Sequence, residues 1–238
     1  MRRVVLVEDD EWSRRGLRDG LADLDSFDPI FALSHAEATA SGPEWHRAEL
    51  TLVGAEGGSD RFDRFTGVRV VQEIRAHCTR RENVVVVLAG GAPNPLLHLR
   101  AAEAGADHVI RREDVPDLAH LEAALLRPGD GIRFDPEVRA YLKHFGLSPS
   151  SRLNAGLAYV EAAGLAGTMG QLGPRDAQSI TRRRAISTRE AFTRIVGVQA
   201  VDSGSGAITQ RLLPSWKQVT TVIAMARGAT APPDRREA

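Results

Sequence analysis

Four acidic residues in a row, Glu8-Asp9-Asp10-Glu11, follow directly on a short apolar run, Arg3 to Val7. Carboxylates clustered at the end of such a run could hold a hard divalent cation, which prefers oxygen ligands. They could also cap a following helix, where acidic groups meet the positive end of the helix dipole. A second cluster, Arg182-Arg183-Arg184, has the opposite sign. Three adjacent arginines suit phosphate contacts, and Arg189, Thr193 and Arg194 just downstream could reach a DNA groove. Nucleophilic chemistry finds less support. There is no Gly-rich phosphate loop and no serine in a nucleophile-elbow pattern, and His35, His46 and His77 lack acidic or cysteine companions at ligand spacing. Cys78 is the single cysteine, which excludes a disulfide within the chain and argues against a cysteine-based metal site. No catalytic residue is expected, and no cofactor.

The elements that would position these groups divide by charge. Residues 1–130 hold 16 Lys/Arg and 23 Asp/Glu, net −7, whereas residues 131–238 hold 15 and 8, net +7, and the 238-residue chain is neutral overall. Halves of opposite sign point to different jobs. A basic second half suits nucleic acid, an acidic protein partner, or the acidic first half. The N-terminus turns acidic after four apolar residues, too soon for a signal peptide, and the longest apolar run, Val84 to Ala89, is far short of a membrane span. A cytoplasmic protein without membrane contact is expected.

The first half alternates short apolar strands with helices five times. Strands are predicted at Arg3–Val7, Pro29–Leu33, Leu50–Val53, Val84–Leu88 and Val109–Ile110. Helices are predicted from Trp12, Ala36, Gly67, Pro95 and Pro116. This pattern specifies an α/β fold, a five-stranded parallel doubly wound (flavodoxin-like) sheet whose ligand chemistry sits at the carboxyl ends of the strands. The third of those ends is Gly54.

At these loops the chain resembles the receiver domain of bacterial response regulators. The resemblance rests on Val4-Val5-Leu6-Val7-Glu8-Asp9-Asp10, on Gly67 before a helix ending Ile74-Arg75, and on Ala104-Gly105-Ala106-Asp107. It covers roughly residues 3 to 127. In that family an acidic pair binds magnesium, an aspartate accepts a phosphoryl group, and a Ser/Thr and a Lys contact the phosphoryl oxygens. By position the pair is Glu8 and Asp9, but the acceptor is Gly54, the Ser/Thr is Ala89 and the Lys is Arg112, while Val109 stands where an aromatic usually switches. With no carboxylate at 54 there is no nucleophile for an aspartyl phosphate. Two carboxylates alone do not suffice for magnesium, so no metal is expected. The resemblance therefore implies a degenerate, phosphorylation-independent receiver. Glu56 and Asp60, the nearest acids, lie on the following loop rather than at the strand end. Arg100, Glu103, Arg111, Arg112, Glu113, Asp114 and Asp117 form a mixed-sign set that could serve a homodimer.

Residues 128–135, around Pro128-Gly129-Asp130-Gly131, read as a linker. The remaining divisions are a receiver-like domain at 1–127, a smaller, mostly α-helical output domain at 136–228 that is a helix-turn-helix candidate, and a disordered tail at 229–238. Within the output domain, Ser148 with Pro149 is expected to start one helix, and the capping box Ser187-Thr188-Arg189-Glu190 another. A further helix candidate runs from Pro174 through Ile180, and a last one from Pro214 to Arg227 carries an apolar stripe with Trp216. The leading reading is a two-component-type transcriptional regulator that binds DNA through this basic domain. The competing one is an interaction regulator whose helical domain binds a transcription factor or another regulatory protein.

Overall fold

The computed structural model describes residues 1–40, 44–58, 60, 62–91, 94–127, 131–164, 182–200 and 213–229, and for residues 182–185 the backbone alone. The Pro174–Ile180 helix candidate, the Pro128-Gly129-Asp130 part of the linker and the tail beyond residue 229 lie outside these residues.

Five strands, β1 (Arg2–Val7), β2 (Phe27–Leu33), β3 (Leu50–Gly54), β4 (Val84–Ala89) and β5 (His108–Arg111), form one sheet in the order β2-β1-β3-β4-β5. All four pairings are parallel, with a register shift between Val4 and Val5 against β2. This is the flavodoxin-like strand order, as the sequence pattern predicts. Strand alternation explains the layering. Val4, Leu6, Leu50, Leu52, Val86, Leu88 and Ile110 join Leu21 of α1 (Glu11–Ala22) and Leu121 and Leu125 of α5 (Leu118–Leu126) in one buried cluster. The alternate residues Val5, Val7, Val53, Val85 and Val87 are buried as well. Strands covered on both faces read as unbroken apolar runs, which is what these are. The described first-layer helices are completed by α2 (His35–Ala40) and α3 (Gly67–His77).

The chain falls into two compact units, Met1–Pro93 with Ala104–Arg133, and Asn94–Glu103 with Phe134–Ala238. The division differs from the expected break near residue 128 in one element. The fourth helix, α4 (Pro95–Ala104), groups with the second unit, because Leu96 and Leu99 belong to that unit's apolar cluster. The others there are α6 (Pro136–His144), α7 (Leu153–Ala162), α8 (Arg182–Val196) and α9 (Trp216–Ala226). Phe192 and Val196 of α8 pack so closely on α7 that a Cβ at Gly156 would meet Phe192 Cε2 at 3.1 Å and collide with Val196. In α9, Val219, Val222 and Ile223 are buried and Trp216 packs partly buried against the same cluster, so its stripe is core.

Two helix starts differ from expectation. The first helix after Gly146 begins at Leu153, not at Ser148, and its N-cap residue, Arg152, makes no side-chain cap. Glu103 does that work, accepting from Asn154 N at 2.6 Å and Ala155 N at 3.1 Å. Helix α8 begins at Arg182, which leaves Ser187–Glu190 inside it and not at a cap; Thr188 is buried there. No helix among the described residues is long and apolar enough to cross a membrane.

Candidate functional site

The carboxyl ends of β1, β3, β4 and β5 open on a cleft of about 790 Å³, lined among others by Glu8, Asp9, Asp10, Glu56, Arg64 and Arg112. The sheet places Glu8 directly after β1 and Gly54 at the last position of β3. Arg112 opens the short turn after β5. These three meet. Arg112 Nη2 donates to Glu8 Oε2 at 2.5 Å, and Asp10 N donates to Glu8 Oε1 at 3.1 Å. Glu8 is 3% exposed. A Cβ placed on Gly54 would collide with Glu8 Oε2. The space a side chain at 54 would need is therefore filled by a buried, ion-paired carboxylate. The room over Gly54 belongs to Glu8.

Asp9 is equally engaged. Its Oδ1 accepts from His35 N at 2.8 Å and its Oδ2 from Gly58 N at 3.2 Å. His35 is buried, and its Nδ1 lies 2.6 Å from Thr66 Oγ1. Burial pushes the imidazole below its ordinary pKa, against the pull of Asp9 and Glu8. Gly57 closes over this group, since a Cβ there would come within 2.6 Å of Asp9 Oδ2 and 2.8 Å of His35 Nδ1. Asp10 is the N-cap of α1, accepting from Ser13 N at 2.7 Å, and that backbone bond holds its carboxyl below the usual range. Of the four acidic residues, then, Asp10 caps the helix, Glu8 pairs with Arg112, Asp9 ties two loops together and Glu11 pairs with Arg15 on the exposed side of α1.

Glu56 reaches the cleft although it lies beyond the strand. Both its oxygens accept from Gly90 N at 3.1 Å. Burial raises its pKa, while the Gly90 amide and Arg112 oppose the rise. Its arrival was not readable from the sequence, because the turn through Gly57 and Gly58 carries the chain back toward the strand ends. Asp60 stays in its own loop, capping Phe62 N at 2.8 Å and lying 3.4 Å from Arg69 Nη2. A magnesium site of the family's kind does not fit these residues. The oxygens of Glu8 and Asp9 already hold a guanidinium and backbone amides, and no third ligand stands at 54.

The second set of candidate residues lies on α8. Arg194 is exposed, whereas Arg189 and Thr193 are half-buried. Arg189 Nε and Thr193 Oγ1 are buried without a hydrogen-bond partner among the described residues. The side chains of Arg182, Arg183 and Arg184 lie outside the described residues. Of the mixed-sign set in the first half, Arg100 and Glu103 are turned to other use. Arg100 is buried, donating from Nε to Asn154 Oδ1 at 2.9 Å and from Nη1 to the Ala226 carbonyl at 2.7 Å.

No protein-family model matches this chain. No curated protein matches it either. Solved structures with similarity include the isolated receiver domain of RcsB from Salmonella enterica serovar Typhimurium (17% identity, 59% of this chain and 97% of that one, TM-score 0.43). A second is the receiver domain of the putative response regulator NarL from Mycobacterium tuberculosis (17% identity, 52% and 93%, TM-score 0.43). A third is a Salmonella typhimurium RcsB response regulator (15% identity, 84% and 94%, TM-score 0.45).

Proposed function

We propose that this chain is a response-regulator-like transcriptional regulator that works without aspartyl phosphorylation and binds DNA through its basic helical half. The observation that carries the reading is the Glu8–Arg112 ion pair lying over Gly54. A guanidinium takes the place a divalent cation would need, and the position of a phosphoacceptor carries no nucleophile. The cleft thus keeps a receiver's architecture with Glu8 already paired to Arg112. For DNA, the support is the net +7 of residues 131–238 against −7 before them, and the exposure of Arg194 on α8. Arg182, Arg183, Arg184, Arg189 and Thr193 remain part of the proposed surface, in a cytoplasmic regulator.

Fluorescence anisotropy with labelled duplex from the gene's own upstream region tests both parts. The full chain is expected to bind with affinity that falls steeply between low and moderate salt and survives competitor DNA. Acetyl phosphate with magnesium is expected to leave the titration unchanged. Absence of binding removes the DNA reading and favours the protein-partner alternative; a curve that shifts with acetyl phosphate removes phosphorylation independence.

A further inference from the structure

The chain has two lysines, Lys143 and Lys217, far apart in sequence. The fold brings them to one end of the helical unit. Lys143 lies in the last turn of α6 and Lys217 in the first turn of α9, and both are exposed. That end is tied together by hydrogen bonds. Gln199 N donates to the Gly146 carbonyl at 2.8 Å, and Gln218 Nε2 to the carbonyls of Phe145 and Gln199 at 3.2 and 3.1 Å. Arg152 N donates to the Val196 carbonyl at 3.3 Å. Gly146 sits at φ +71°, with the Gln199 carbonyl where a Cβ would stand, so only glycine fits the joint.

The same ties bring two more exposed cations to this end, Arg152 before α7 and Arg194 in the last turn of α8. Residues 140–152, 191–200 and 213–220, which build it, contain no acidic residue. Glu103 reaches it from α4 but is spent on the amides of Asn154 and Ala155. The four cations have no carboxylate partner among the described residues. Like charges gathered without counter-charge suit a polyanion. Lysine is a compact point charge that meets a phosphate without the forked geometry that reads a base edge. Ser148, Ser150 and Ser215, all exposed, add hydroxyl donors of the kind that phosphates accept.

We infer that this end of the unit is a contact surface for the phosphate backbone of duplex DNA, held by Lys143, Arg152, Lys217 and Arg194. The inference rests on the DNA reading above and adds a second place where phosphates are gripped. Arg182, at the other end of α8, lies about 18 Å from Arg194 along the helix axis at a rise of about 1.5 Å per residue. The surface positions the duplex and carries no sequence preference of its own.

With two lysines in the chain, an amine-specific acetylating reagent reports on this surface without any substitution. The full chain is acetylated free and bound to the upstream duplex, and each lysine is followed by mass spectrometry. Both are expected to react about tenfold more slowly in the complex, with the protection disappearing as salt is raised. Lys143→Gln with Lys217→Gln is expected to lower the slope of log affinity against log salt by about 1.8, equally on upstream and competitor duplex. Lys143→Arg with Lys217→Arg is expected to keep the slope. A bound duplex that leaves either lysine as reactive as in the free chain overturns this surface, while the DNA reading stands on α8. A chain that binds no duplex overturns both. A glutamine variant that loses preference for the upstream duplex with its slope unchanged overturns the backbone role.

Discussion

Arg112 and Arg100 are both arginines turned inward, one at a cleft and one in a buried core. Arg112 stands at the mouth of an open cleft with its side chain 38% exposed and neutralises one buried carboxylate, Glu8. Arg100 is 3% exposed and donates to the Asn154 side chain and to the Ala226 carbonyl at the end of α9. The first neutralises an acid at the edge of a cleft. The second satisfies helix ends that would otherwise be buried without partners, the final carbonyls of α9 among them, where a cation also favours the dipole. Asn154 Nδ2 returns a bond to the Arg100 carbonyl at 2.7 Å, and Asn94 Nδ2 reaches Met225 O at 3.1 Å. A cleft tolerates rearrangement because water is at hand. A buried network does not.

The largest effect is therefore expected in the second unit. Arg100→Met keeps the length and apolar stem but strands Asn154 and the Ala226 carbonyl. Orphaned buried groups and lost charge-assisted bonds together should cost about 3 kcal/mol. Urea denaturation followed by far-ultraviolet circular dichroism measures it, and a loss under about 1 kcal/mol would erase the contrast with Arg112.

Arg112→Met should cost less, about 2 kcal/mol, because Arg112 is more than a third exposed and its charge is partly screened, even though Glu8 is left buried and unpaired. The same denaturation experiment separates ion pair from pocket shape. Removing both charges in Glu8→Leu with Arg112→Met should cost less than Arg112→Met alone, since no uncompensated charge remains. A double variant worse than the single one would mean that Glu8 is held by more than Arg112 and the Asp10 amide.

The contrast also marks what could be read from the amino acids alone. The sheet was legible because both-face burial writes apolar runs such as Val84–Leu88, and their order with the intervening helices leaves few topologies. Gly54 and the acidic cluster were legible because strand ends are where such folds hold ligands. The fate of Glu56 was not, because it depends on how one loop turns back to the Gly90 amide. Nor was the Arg100–Asn154–Ala226 network, whose members lie 54 and 126 residues apart. The Ser148 and Ser187 cap signals misled for the same reason. A local pattern proposes a helix start, but Glu103, 51 residues away, supplies the cap that α7 uses.

The smallest effect concerns Glu56, and its sign follows from the direction of its shift. Burial raises this carboxyl above its ordinary value of 4.5, so in the window above 4.5 the folded chain holds the proton more tightly than the unfolded chain does. Stability contributed by the protonated form is present below that window and is lost as pH rises through the raised value. Glu56→Gln keeps an acceptor for the Gly90 amide and removes the titration. The variant is expected to be more stable than the unaltered chain at pH 7 by under about 1 kcal/mol, because the group is half-exposed. That advantage should shrink as pH is lowered toward 4.5. His35 moves oppositely: its lowered pKa removes stability as pH falls below its ordinary 6.5, equally in both proteins. Subtracting the two stability curves therefore isolates Glu56. A difference that grows on acidification would mean that Arg112 and the Gly90 amide outweigh burial, making Glu56 a second anchored carboxylate like Glu8.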